Sequence, residues 1–274
     1  MMKTVSDSFQ RRINYIRVSV TDRCNYRCTY CSPGKASVVK PRRGILRYEE
    51  IAAVAGACGA LGFTKLRLTG GEPLVRKDIE VCLERIAALK CYPDISLTTN
   101  GSLLTFEKAR SLRAAGLMRI NISLDTVDPL EFGRITGGGK IGHVLRGIDA
   151  ALDAGLSPVK INMVVFPDTA EDAINQMRDF CAKKGAALQL ISRFSLEKRF
   201  EPQPDAPRYD RPHDCAGCNR IRLTTDGFFK PCLFSDHEIK VDFSRLEESV
   251  LEAIRAKPRI GEACLNRSMS EIGG

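Results

Sequence analysis

Between Pro158 and Pro167 the chain reads Val159-Lys160-Ile161-Asn162-Met163-Val164-Val165-Phe166. The run is short, dominated by β-branched and apolar residues, and bounded by proline on both sides, the pattern of a β-strand. The nearly continuous apolar character of 161–165 predicts a parallel sheet covered by helices. Helical stretches flank it, His143 to Ala154 and Ala170 to Lys183, closed by Gly155 and Gly185, the residue type that tolerates the left-handed turn at a helix end. The same unit recurs outward from here. Strands at Ile13 to Val20, Lys65 to Thr69, Ile95 to Thr98 and Met118 to Leu124 alternate with helices at Tyr48 to Leu61, Asp78 to Leu89 and Phe106 to Ala115, and a sixth strand lies at Leu188 to Ile191. Repeated βα units imply an α/β fold with right-handed crossovers, either open or curved into a full or partial barrel, with chemistry at the carboxyl ends of the strands.

The register breaks after Phe194. From Glu197 to Pro212 the chain is polar and carries Pro202, Pro204, Pro207 and Pro212, which reads as a linker; beyond it come a cysteine-bearing strand pair split at Asp226-Gly227 and a helix near Leu246 to Ala256. The expected organisation is a barrel over 1–194, a linker over 195–212 and a carboxyl-terminal region over 213–274. With 274 residues, 43% of them apolar and 27% charged, the composition fits a soluble globular protein and excludes disordered and collagen-like classes. Forty-two Lys and Arg against 33 Asp and Glu leave a net charge of +9, which favours an anionic partner such as a phosphate-bearing ligand; no nucleic-acid motif accompanies the charge, so nucleic acid is not expected. No apolar signal region and no run of about 18 apolar residues occurs, so membrane insertion is not expected and a reducing cytoplasm is. There, clustered members of the eleven cysteines are metal ligands or catalytic groups sooner than disulfides.

Two triads carry the chemistry. Cys24, Cys28 and Cys31 follow the first strand in a C-x3-C-x2-C loop, and Cys215, Cys218 and Cys232 flank the late hairpin. Three thiolates on one short loop can converge on a metal centre, and three rather than four leave one position of a [4Fe–4S] cube open to an exogenous chelator. Zinc completed by a fourth ligand is the rival reading, with His213 or His237 available to the second triad. Gly70-Gly71-Glu72-Pro73 closes the second strand; alone it is an ordinary turn, but its glycines allow close backbone approach and Glu72 could pair with a ligand ammonium. Arg17, Lys65, Arg67, Lys160, Arg220 and Arg222 sit in strands or at their ends, where cations are costly unless they face a cavity or an anion. The remaining cysteines, Cys58, Cys82, Cys91, Cys181 and Cys264, read as small buried hydrophobes.

The cysteine loop after strand one, followed by Gly-Gly-Glu-Pro after strand two, resembles the radical S-adenosylmethionine (SAM) superfamily. Further segments narrow the resemblance to the family of molybdenum cofactor biosynthesis protein A, the GTP 3′,8-cyclases: Arg17 to Cys24, Thr69 to Pro73, Leu97 to Gly101, Asn121 to Asp125, Arg134 to Gly137 and Val159 to Asn162. The resemblance implies a partial (β/α)6 barrel of TIM-like form. It implies two [4Fe–4S] clusters, one on each triad, the first cleaving SAM reductively and the second contacting GTP. It further implies that Gly70, Gly71, Glu72, Thr98, Asn100 and Ser123 bind SAM and that the six basic residues hold the triphosphate. Gly273 and Gly274 would reach back into the active site as the end of the tail. An electron donor such as flavodoxin or ferredoxin is implied, and a homodimer is allowed. The chain departs from the family before Cys215, where it is shorter. On strand six, Gln189 and Ser192 stand where the family has arginine and glutamate, and Ser32 follows Cys31 where the family has methionine. A radical SAM enzyme acting on a peptide or another nucleotide is the alternative.

Overall fold

A computed structural model of the protein describes residues 4–31, 44–197 and 215–273. The four linker prolines, Ser32, His213 and Gly274 lie outside the described residues. Six strands, β1 (Tyr15–Ser19), β2 (Lys65–Thr69), β3 (Asp94–Thr99), β4 (Arg119–Ser123), β5 (Val159–Val165) and β6 (Ala187–Ser192), pair in parallel in chain order. Between them run α1 (Tyr48–Ala60), α2 (Ile79–Ala88), α3 (Phe106–Ala114), α4 (Pro129–Thr136), α5 (Ile141–Asp153) and α6 (Glu171–Lys184). The architecture is the partial (β/α)6 barrel. On its free edge β7 (Arg220–Leu223) pairs in parallel with β1, and β8 (Phe228–Lys230) and β9 (Ile239–Lys240) follow antiparallel, so the order is β6-β5-β4-β3-β2-β1-β7-β8-β9. The carboxyl-terminal region therefore continues the barrel's own sheet and ends with α7 (Leu246–Arg255) and α8 (Met269–Ile272).

The register divides the sheet into two chemically different faces. Residues paired across parallel strands point the same way, and residues two apart share a face. One face carries Ile16, Val18, Leu66, Leu68, Ile95, Leu97, Ile120, Ile122, Ile161, Met163, Ile221 and Leu223, each buried in the main core. Against it pack Ile51 and Val54 of α1, Leu83 of α2, Leu112 of α3, Ile148 of α5 and Met177 of α6. The opposite face carries Arg17, Arg67, Ser96, Thr98, Asn121, Ser123, Lys160, Asn162, Gln189 and Arg222 in register. β5 shows the division most plainly, since buried and half-buried residues alternate strictly along it. The continuous apolar strand expected from 161–165 is thus an alternating one, because helices cover only one face while the other lines the barrel's interior.

α4 is not among the helices expected from the sequence, although its start is written locally: Asp128 caps it by accepting from the Glu131 amide at 2.7 Å, and Pro129 occupies the first turn. Among the described residues no helix is long and apolar enough to cross a membrane.

Candidate active site

At the carboxyl end of β1 the chain turns into the first cysteine loop. The amide of Gly71 donates to the Thr21 carbonyl and that of Glu72 to the Arg23 carbonyl, both at 2.7 Å, so Gly-Gly-Glu pairs with the residues leading into Cys24. A Cβ at Gly70 or Gly71 would overlap the carbonyls of Thr21 or Arg23, which is why glycine stands at both. Glu72 is 1% exposed. Its carboxylate accepts from the Leu74 amide at 2.9 Å, the Thr99 hydroxyl at 2.6 Å and the Asn100 amide at 2.6 Å, stapling the turn to the end of β3. Burial pushes its carboxyl up to about 7 against the pull of those three donors. Asn100 continues the connection, donating to Oδ1 of Asn25 inside the cysteine loop at 2.9 Å.

The far side of the loop rests on α4 and β4. The amides of Arg27 and Thr29 donate to the carbonyls of Thr136 and Ile135 at 3.0 and 2.9 Å, and Tyr26 meets Phe132 edge-on. The Arg134 to Gly137 segment thus supports the cysteine loop. Tyr30, between Cys28 and Cys31, donates to Oδ2 of Asp125 at 2.9 Å, and Oδ1 of Asp125 accepts from the Val164 amide at 2.8 Å. Burial raises the Asp125 carboxyl to about 6. Burial likewise pushes the Cys28 thiol up to about 12, and Cys31, Asp125 and Cys24 add to it. Cys31 and Cys24 thus oppose the ionisation of Cys28, a balance that a bound cation would reverse.

Beneath the loop, Arg17 is in register with Arg67 on one side and Arg222 on the other, at the strand spacing of about 4.8 Å. Burial and the neighbouring Arg222 hold the Arg17 guanidinium well below its ordinary value, and burial followed by Arg220 brings Arg222 down to about 10. Tyr15 shares this face; burial would raise its phenol, but Arg17, Arg67, Arg220 and Arg222 together lower it. The structure therefore brings four of the six predicted cations together. Lys65 is exposed at the amino end of β2, and Lys160 is half-buried on β5, three strands away. The Thr98 hydroxyl and Oδ1 of Asn121 are buried on this face without a hydrogen-bond partner among the described residues, and Ser123 stands half-buried at the end of β4. Asn121 donates to Oδ1 of Asn162 at 3.1 Å and Oε1 of Gln189 at 3.4 Å, so the strand-six substitution puts a neutral amide wall here.

Cys215, Cys218 and Cys232 line one cavity together with Arg220, Arg222, Pro231, Leu233 and Phe234. Lys257 is a neighbour that the sequence pattern does not single out: it is 3% exposed and donates to Sγ of Cys218 at 3.5 Å. Burial would raise the Cys218 thiol, but Lys257 and Arg220 together outweigh it, and the net shift is downward. His237 is exposed and does not line the cavity. Among the described residues no three His, Cys, Asp or Glu side chains close on a single ion; a four-iron cube takes its thiolates on separate irons and so suits a spaced triad. Cys58, Cys82, Cys181 and Cys264 are buried and Cys91 is half-buried.

Gly273 ends the described chain against this site. Arg222 donates to its carbonyl, and a Cβ on Gly273, whose φ is 70°, would overlap Oγ1 of Thr69.

Residues 18–181 match the family model described as the radical SAM superfamily. The chain is 36% identical to a GTP 3′,8-cyclase of Alkaliphilus oremlandii, with 98% of this chain and 100% of the relative covered, and 39% identical to one of Peptoclostridium acidaminophilum, with 98% of each covered. These matches run over 321 and 322 positions against 274 residues here, so the relatives carry a segment this chain lacks. Among solved structures, Streptococcus suis SuiB bound to S-adenosylmethionine superposes with a TM-score of 0.65 at 16% identity, covering 91% of this chain and 66% of that one, just under two thirds of its length. Native anSMEcpe with bound AdoMet superposes with a TM-score of 0.65 at 17% identity, covering 89% and 81%. Both likenesses concern the fold.

Proposed function

Because this chain belongs to the radical SAM superfamily and, through relatives of 36–39% identity over 98% of its length, to the GTP 3′,8-cyclase family, we propose that it converts GTP to the cyclised pterin precursor of molybdenum cofactor. The observation that carries the reading is the row Arg222, Arg17 and Arg67, set side by side on the cavity face below the first cysteine loop. Guanidiniums grip phosphate oxygens in pairs, and the like charges of a row set side by side are offset when an anion binds across it.

Cys24, Cys28 and Cys31 hold one [4Fe–4S] cluster and Cys215, Cys218 and Cys232 a second. Bound to the first triad, the cluster would supply the electron for reductive cleavage of SAM. Gly70, Gly71, Glu72, Thr98, Asn100 and Ser123 bind SAM, with the Thr98 hydroxyl finding there the partner it lacks among the described residues. Arg17, Lys65, Arg67, Lys160, Arg220 and Arg222 bind the triphosphate, the buried Arg222 and the half-buried arginines beside it more strongly than the exposed Lys65. Gly273, and by the family resemblance Gly274 outside the described residues, would serve to close the cavity; side-chain-free residues occupy little space, and excluding water protects a radical site. A reducing cytoplasm suits the free thiols; flavodoxin or ferredoxin would deliver electrons, and the chain would work alone or as a homodimer.

Gln189 and the missing segment favour a second reading, turnover of a peptide or another nucleotide in a cavity with one neutral wall. Anaerobic incubation with SAM, reductant and GTP deuterated at the ribose 3′ position decides. Deuterium in the 5′-deoxyadenosine supports GTP cyclisation. GTP binding without transfer removes it, and failure to bind GTP selects the second reading.

A further inference from the structure

Lys257 lies in the turn after α7, 3% exposed. Its ammonium has three hydrogens and three acceptors: the carbonyls of Arg220 at 2.7 Å and Pro231 at 2.8 Å, and Sγ of Cys218 at 3.5 Å. Arg220 opens β7 just after Cys218, and Pro231 immediately precedes Cys232. One side chain therefore ties together the two segments that bear the second triad. Arg11 braces the third member from outside, donating to the Cys215 carbonyl and the Pro258 carbonyl, each at 2.7 Å, while Asp7 holds its Nε at 2.6 Å. None of the three acceptors of Lys257 is a carboxylate. A buried cation without a counter-charge is costly, and the nearby groups able to supply that charge are the sulfurs of Cys218 and Cys232.

We propose that Lys257 is a positioning residue for the second cluster: it fixes the spacing of the triad, and its N–H···S bond to Cys218 raises the cluster's reduction potential. The inference rests on the reading of Cys215, Cys218 and Cys232 as cluster ligands. Reduction adds negative charge that is shared with the ligating sulfurs, so a cation hydrogen-bonded to one of them stabilises the reduced form more than the oxidised form.

The test is an anaerobic redox titration of the reconstituted full-length protein followed by electron paramagnetic resonance. The second cluster's signal is identified by its loss in Cys232→Ala, and iron is counted in parallel. Lys257→Met should shift that signal's midpoint downward by about tenfold in the reduction equilibrium, which is ~59 mV for one electron. The first cluster should not move, and Lys257→Arg should restore the midpoint. Selective loss of the second cluster's iron in Lys257→Met with retention in Lys257→Arg equally supports the positioning role. If Lys257→Met does not fold, Lys257→Gln, which keeps amide hydrogens without the charge, gives the same reading. Full iron and an unchanged midpoint in the uncharged variants overturn the proposal. A wild-type protein with only the first cluster's iron overturns instead the ligand assignment on which it rests.

Discussion

The guanidinium of Arg222 donates to the main-chain carbonyl of Gly273, so the penultimate residue of the chain closes on the same arginine that stands in register beside Arg17. Fifty-one positions separate the two. The tail is held in place by α8, where Ser268 and Glu271 form a capping box, and by Ile272, which is fully buried. The sheet's inner face and the segment around Gly273 thus share one side chain.

Gly273→Ala should separate SAM cleavage from substrate turnover. A positive φ costs a residue with a Cβ about 1–2 kcal/mol, and the overlap with Thr69 adds to it, which is enough to dislodge the tail in most molecules, since 1.4 kcal/mol is about a factor of ten. With GTP present, 5′-deoxyadenosine should still form while cyclised product falls roughly tenfold. Equal loss of both would show that the tail serves the SAM site.

Arg267→Met should destabilise the carboxyl-terminal region. Arg267, with its side chain 9% exposed, holds Glu238 at 2.7 Å, Asp226 at 2.8 Å and Glu271 at 3.3 Å. Removing it leaves Asp226 and Glu271 without this cation and Glu238 with Lys230 alone, at a cost on the order of 3 kcal/mol. Denaturant unfolding should show a lower midpoint at unchanged slope; a loss below about 1 kcal/mol would place the network among ordinary surface pairs.

Binding of GTP should depend on Arg17 far more than on Lys65. Arg17 sits half-buried between Arg67 and the buried Arg222, where a charge-assisted bond contributes about 1.5–3 kcal/mol, roughly ten- to more than hundredfold in affinity. Lys65 is exposed at the amino end of β2, where water screens it to about 1 kcal/mol or less. Calorimetric titration of Arg17→Ala and Lys65→Ala compares them, and equal losses would contradict the arginine-row account.

Before cluster reconstitution the protein should lose stability as pH rises from about 4.5 to 7. Burial lifts the Glu72 carboxyl from its ordinary 4.5 to about 7, so in this window the folded state binds more protons than the unfolded one. Stability must then fall with rising pH, by roughly 3 kcal/mol at most for this group. Asp125, raised from 3.8 to about 6, acts with the same sign. Thermal melting across the window should flatten in Glu72→Gln, whatever that variant's absolute stability. A wild-type protein whose stability rises from pH 4.5 to 7 would refute the assignment.

Anaerobic reconstitution should yield about eight iron and eight sulfide per chain. Alanine at Cys24, Cys28 and Cys31 should abolish reductive SAM cleavage, whereas alanine at Cys215, Cys218 and Cys232 should leave uncoupled cleavage. Zinc in place of the second four irons would remove the two-cluster assignment.

The sequence by itself determined the parts whose signal is local. Thiol spacing in Cys24-x3-Cys28-x2-Cys31, the glycines closing helices at Gly155 and Gly185, and the alternation of short β-branched runs with helical stretches are written within a few residues each, so triads, βα units and the Gly70-Gly71 turn were legible. Even α4 carried its Asp128-Pro129 signature. Tertiary structure alone decided what depends on distant partners. Val159 to Val165 reads as apolar until its neighbours show that helices cover one face only, which turns Lys160 and Asn162 inward. β7 joins β1 across some two hundred residues and thereby lines up Arg222, Arg17 and Arg67. Lys257 looks like any lysine after a helix until the Cys218 and Pro231 segments fold around it. The physical reason is common to all three: a side chain's burial and charge environment is set by the register and packing of segments far apart in the chain, and no periodicity within one segment encodes which other segment will meet it.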